Sequence, residues 1–284
     1  MPEDTAQSNP DSALGKARTP RSLPGADRSS LVSRHPSLGL EEARALVASP
    51  LWPRIRAFLW DFASLCDPAR LAAALAPAGG SGDFPRSLAA SPRAARAAEK
   101  ALGLAPIFHS FPATDSSRLL LLSREDYDLL AQFLGVVALA PALRRVTAGA
   151  EVRTLKAALP GVYPEALSYV AYFGRCEPLF KQFALAGEAA TPAAVQSTGH
   201  SLLAAALSDL PPELLLRQRL RFPAGSPADA ALGGASSPSE PPTTGTADHS
   251  AFGIQHSAFA GEARTAANLA LKLFNPSEYR TLCS

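Results

Sequence analysis

The chain has 284 residues, is 47% hydrophobic but only 7% aromatic, and carries 27 Lys and Arg against 25 Asp and Glu. That length allows one large or two modest domains, and near-neutral charge without a dense basic stripe argues against a nucleic-acid binder. The three cysteines, Cys66, Cys176 and Cys283, are too scattered for a disulfide framework or a CxxC metal site and read as free thiols in a reducing cytosol.

With few aromatics the core must be built from Leu, Ala and Val, and Leu and Ala favour helices over strands. No sustained period-2 run appears, and no repeat of 20–50 residues supports a solenoid. The expected fold class is therefore all-α: an irregular multi-helix domain.

The acidic start Met1-Pro2-Glu3-Asp4, with no apolar run behind it, does not read as a secretory leader. Residues 1–37 contain no Phe, Tyr or Trp and are rich in Ser, Pro, Asp and Arg, so they cannot bury enough apolar surface to offset their ordering entropy. They are expected to form a disordered tail, with 38–284 as a single helical domain. A short break is expected from Pro77 to Pro85, around Gly79-Gly80-Ser81-Gly82. A long Pro/Gly/Ser-rich stretch from Pro223 to Ser250 reads as a flexible insertion at about 223–258.

Between these breaks a capping residue precedes proline four times, at Ser49-Pro50, Asp67-Pro68, Ser91-Pro92 and Thr191-Pro192, each a helix start. After Pro50, Ile55, Phe58, Leu59 and Phe62 follow helical spacing, with Pro53 still in the first turn. After Ser123, Glu125 and Asp126 occupy a first turn, where negative charge is favoured, and Leu129, Leu130, Phe133, Leu134 and Val137 share one face. Val152, Leu155 and Leu159 mark the next helix. Pro164 and Glu165 open another, carrying Leu167, Val170 and Ala171. Leu202 to Leu210 is apolar on nearly all sides and should be central. Glu213–Leu220 is a short helix, and a last one over about Glu262–Phe274 should bury Ala266, Leu269, Ala270 and Leu273. The run Leu129–Leu143 holds Gln132 and Pro141 and falls short of the ~20 residues of a membrane span, so it reads as buried helix.

Catalytic signals are thin. No pair among His35, His109, His200, His249 and His256 has the i, i+4 spacing of a helical zinc site, and there is no GxSxG elbow. His200, beside Leu202 and Leu203, reads as a helix-face residue rather than a ligand. Gly79-Gly80-Ser81-Gly82 lacks the GK[ST] ending of a phosphate loop. Glu41-Glu42 and Glu125-Asp126 are explained by helix starts. Trp52 and Trp60 read as core, the alternative being an interface hot spot. The most distinctive charge feature is Arg144, Arg145, Arg153 and Lys156. It is either a solvated face or a docking patch for an acidic protein surface, since arginine's planar fork pairs with carboxylates; phosphate binding ranks third.

One stretch carries a family likeness. Arg118 precedes Leu119 to Leu122, then come Phe133-Leu134-Gly135, Pro141-Ala142-Leu143-Arg144-Arg145-Val146, Gly149, Val152-Arg153, Leu155, Leu159, Tyr163 and Ala166-Leu167. Further patches are Leu214 to Pro223, ending Arg219-Leu220-Arg221-Phe222-Pro223, and Leu269 to Leu273 with Lys272. Over about residues 40–284 this resembles the SctK family, accessory cytosolic subunits of the sorting platform of bacterial type III secretion systems. The resemblance implies a mainly helical, non-enzymatic adaptor that bridges the cytosolic domain of the inner-membrane ring protein and the pod protein. It also implies a cytoplasmic place, peripheral to the inner-membrane apparatus. No cofactor, metal, small-molecule substrate, nucleic acid or direct membrane insertion is expected, and Arg144, Arg145, Arg153 and Lys156 are placed at an interface. Two other readings stay open: a secreted effector or secretion regulator whose disordered N-terminus is an export signal, and a small helical enzyme with a dispersed site.

Overall fold

Ser123 and Thr191 start the two helices on which everything else rests. The Ser123 hydroxyl accepts the Asp126 N–H at 3.0 Å and opens α5, Arg124–Ala138; the Thr191 hydroxyl accepts the Ala194 N–H at 3.2 Å and opens α10, Pro192–Leu207. Each cap satisfies a donor that has no partner inside the helix. The apolar face of α5 buries Leu130, Phe133, Leu134 and Val137, and α10 is buried on nearly all sides from Leu202 to Leu207, as its composition requires. The two helices approach most closely where each presents a glycine to the other's backbone, Gly135 against Val195 and Gly199 against Ala131.

The computed structural model describes residues 48, 50–76, 91–104, 111, 114–185, 190–235 and 259–274. Among them the secondary structure is helical, with no strand. In chain order the helices are α1 (Trp52–Trp60), α2 (Pro68–Leu75), α3 (Pro92–Ala101), α4 (Asp115–Leu119), α5, α6 (Ala140–Leu143), α7 (Gly149–Ala158), α8 (Val162–Tyr169), α9 (Glu177–Leu185), α10, α11 (Pro212–Leu220), α12 (Pro227–Ala235) and α13 (Ala260–Phe274). Short 3-10 segments follow α1 (Phe62–Ser64) and α8 (Val170–Cys176). The described residues all belong to one compact unit, Ser37–Ser284. No helix among them is long and apolar enough to cross a membrane.

Around the central pair, α13 packs on both α10 and α5, α12 packs on α10 and α11, and α8 and α9 pack on α5. The expected C-terminal helix is present, burying Ala263, Ala266, Ala267, Ala270 and Leu271, while Leu269 and Leu273 are only partly covered. Helices α1 to α3 form a smaller layer around Phe58, Phe62, Leu71 and Ala98.

Three of the four proline starts are used. Asp67 Oδ1 accepts the N–H groups of Ala69 and Arg70, Thr191 caps α10, and Ser91 occupies the N-cap of α3 without a side-chain bond. The Ser49-Pro50 start is not used: α1 begins at Trp52 with Leu51 at the N-cap. A helix opened at Pro50 would carry Pro53 in its fourth position, where the ring meets a carbonyl one turn back; opened at Trp52, it holds Pro53 harmlessly in the first turn. Helix α8 likewise begins two residues before Pro164 and buries Val162, Tyr163 and Ala166. The chain then tightens into the 3-10 segment, which leaves Ala171 exposed.

The larger difference concerns the expected insertion. Residues 223–235 are folded. Gly225, at φ 75°, makes the turn that follows Pro223. Ser226 then caps α12, its hydroxyl accepting the Asp229 N–H at 3.2 Å, and Ala228 and Leu232 are buried. Ser226-Pro227 is the same cap-plus-proline signal seen four times elsewhere, hidden in a stretch whose average composition looks like linker. Residues 236–258, the tail at 1–37 and the break at 77–85 lie outside the described residues.

Candidate functional site

The segment that follows α5 sets the basic residues apart from the core. Pro141 falls in the first turn of α6, whose buried side chains are Ala140 and Leu143. Arg144 and Arg145 emerge at the end of that helix, and α7 starts four residues later, buried through Leu155. Arg153 and Lys156 stand three positions apart on α7 and so share a face. All four cations are exposed, and none forms an ion pair with a described residue. Four cations against the single acid Glu151 on one short segment raise the local potential and attract a carboxylate-bearing surface.

A second polar grouping lies where α5 meets α10. Arg124, Asp128 and Gln132, spaced i, i+4, i+8, face Gln196 and His200 across a groove of about 120 Å³ closed by Phe222, Pro223 and Ser226. His200 is only 5% exposed and packs on the rings of Tyr127 and Phe222. Its Nδ1–H donates to the Gln196 carbonyl at 2.8 Å, and its Nε2 lies 2.9 Å from Asp128 Oδ1. Both ring nitrogens therefore have a polar partner, one on α10 itself and one on α5. The imidazole joins two helices.

A third grouping was not visible as a unit in the sequence. Arg217, Arg219 and Arg221 alternate along the end of α11, yet Arg217 is 1% exposed and Arg221 is buried too. Arg221 donates to the carbonyls of Leu120 at 2.8 Å and Leu122 at 2.5 Å, and to Gln218 Oε1 at 2.8 Å. Burial pulls its pKa down to about 10, against the opposing pull of Tyr127 and Glu125, and burial pushes the Tyr127 phenol upward. Arg217 donates to the Phe58 carbonyl at 3.2 Å, lies over the Phe62 ring and faces Glu99 at 3.5 Å. Next along, Asp229 accepts from Arg219 Nε at 2.6 Å, from the Gly225 N–H at 2.8 Å and from Arg70. Arg70 Nε also donates to the Phe222 carbonyl at 2.7 Å. The Cys66 thiol and the Asp67 N–H both donate to Leu220 O. These charges tie chain segments together; the one signal for them in the sequence was the alternation of arginines from 217 to 221.

Cys66 and Cys176 are free and buried, and Cys283 lies outside the described residues. No group of three His, Cys, Asp or Glu side chains able to hold a metal ion occurs among the described residues. Trp60 departs from the expected core position: it is 54% exposed, with Trp52 only partly covered against it. The buried face of α1 is already filled by Ile55, Phe58 and Leu59, and residues 52 and 60, eight apart, fall on a neighbouring stripe.

No family model matches the chain, and neither a curated protein nor a solved structure does.

Proposed function

We propose that this chain is a non-catalytic adaptor that works by docking other proteins, in the manner the SctK likeness implies. It would bridge the pod protein and the cytosolic domain of the inner-membrane ring protein on the cytoplasmic side of a type III secretion apparatus. The observation that carries the reading is the set of exposed cations without ion pairs among the described residues, Arg144, Arg145, Arg153 and Lys156. The charged residues buried elsewhere are spent on internal contacts, whereas these four are exposed. Their neighbours Thr147, Ala148, Ala150, Thr154 and Ala157 offer little apolar area. Binding through them is thus electrostatic, fast to form and salt-sensitive.

The test is charge reversal. R145E combined with R153E should weaken co-purification with the pod protein by about tenfold or more and remove its salt dependence. Unchanged co-purification would discard the patch as the docking face.

A further inference from the structure

We infer that the outward face of α1, the stripe Trp52–Arg56–Trp60, is a second docking surface, shaped for a partner-protein helix that carries leucine-type side chains beside a carboxylate. It extends the adaptor reading, since a bridge needs two faces, but it stands on different residues.

The three residues are spaced i, i+4, i+8 and so line one side of the helix. The two indole rings pack on each other, with centroids 5.6 Å apart and planes tilted by 58°. Each ring restricts the other's rotamers, so less side-chain entropy remains to be lost on binding. The helix beneath is held firmly. Ile55, Phe58 and Leu59 are buried, Arg217 binds the Phe58 carbonyl, and Arg54 binds the Leu121 carbonyl at 3.3 Å. Trp60 nonetheless keeps more than half of its surface in water, which is unfavourable for so large an apolar side chain and is relieved only by a cover.

Charge selects the cover. Arg56 is exposed, one helical turn from each tryptophan, and forms no ion pair among the described residues. A guanidinium on the same stripe as two indoles takes a carboxylate set beside apolar side chains, the combination found along an acidic amphipathic helix. Trp and Arg are also the side chains on which interface energy concentrates. The basic segment at 144–156 has no aromatic residue, so the two faces select different partners.

Trp52 and Trp60 are the only tryptophans of the chain, so its intrinsic fluorescence reports this face directly. The full-length chain is titrated with a synthetic helical peptide bearing leucines at i, i+3, i+4, i+7 and glutamates between them. A saturable blue shift is expected. It should be weakened about tenfold by R56E, by W60A and by a peptide with every Glu replaced by Gln. R56Q, with an unchanged melting transition, gives the same reading without a reversed charge. The R145E/R153E protein should bind the peptide like the parent, so failure of one face is separable from failure of the other. The inference is overturned by an unshifted emission at saturating peptide, or by equal affinity for the Gln peptide. It is overturned equally if emission shifts with protein concentration alone as the mass doubles, since a second copy then covers the face. A parental emission that is already blue and moves red on deleting residues 1–47 overturns it too.

Discussion

Gly199 of α10 lies directly against the carbonyl of Ala131 of α5: a Cβ at position 199 would overlap that oxygen. The relation is reciprocal, because a Cβ at Gly135 would overlap the Val195 carbonyl. Glycine in a helix ordinarily costs about 1 kcal/mol relative to alanine, so here close backbone approach outweighs helix propensity. G199A and G135A should each destabilise the protein by about 2–3 kcal/mol, since the packed helices must move apart. At Gly261, in the first turn of α13, nothing lies within 4 Å of an added Cβ. G261A should be neutral or stabilising by about 0.5 kcal/mol. Urea denaturation of the three variants checks the contrast in sign.

Asp229 gives a pH dependence. Burial pushes its pKa up, but the Gly225 N–H and the Arg219 and Arg70 guanidinium groups outweigh that and hold it below the ordinary 3.8. The unfolded chain therefore takes up the proton first. The stability this carboxylate supplies is complete well above pH 3.8 and drains away as the pH falls below that value towards the folded-state pKa. D229N should flatten the acid limb of a pH–stability curve and cost about 3 kcal/mol at neutral pH, because it leaves two guanidinium groups without their carboxylate. Melting temperatures between pH 3 and 7 measure both effects.

Arg217 should not tolerate truncation. R217A removes the donor to Phe58 O and leaves Glu99 facing an apolar gap, a loss of about 3–4 kcal/mol. R217M, which fills the volume, should recover part of it; chemical denaturation ranks the two.

Cys66 should be inert. Burial first, and the Asp67 charge second, raise its thiol to about 11 against the weaker pull of Arg70, and burial raises Cys176 as well. In a C283S protein, an aromatic disulfide reagent at pH 7.5 should react with no thiol on the minute scale until denaturant is added, and then with two. Rapid reaction of the folded protein would contradict the burial of Cys66 against the Leu220 carbonyl.

Local signals were legible wherever the physics is local. Asp67, Ser123 and Thr191 announce helix starts because a cap needs only its own next three residues, and the leucine stripe of α5 needs only its own period. What escaped depends on distant partners. Nothing near Arg217 or Arg221 says that carbonyls at Phe58, Leu120 and Leu122, roughly a hundred or more residues upstream, will accept their protons. Residues 223–235 were obscured by averaging: the Gly, Pro and Ser of a turn and a cap are the same residues that make a linker, and only Asp229 and its three donors separate the two. Of the basic residues at 144–156, type and spacing are readable, but whether they pair with other described residues requires the fold. Trp60 leaves the core because two helical positions, about 200° of turn, separate it from Phe58, whatever its aromatic character.

The reach of Arg217 and Arg221 also governs the order in which the molecule can be completed. A ribosome delivers α1 and the turn at Leu120–Leu122 long before it delivers α11, so those carbonyls wait in water while more than ninety further residues are made. The early helices can coil as they emerge, but their lasting arrangement begins only when the late arginines arrive. A chain stopped short of residue 217 should therefore hold its first layer loosely and present it to chaperones.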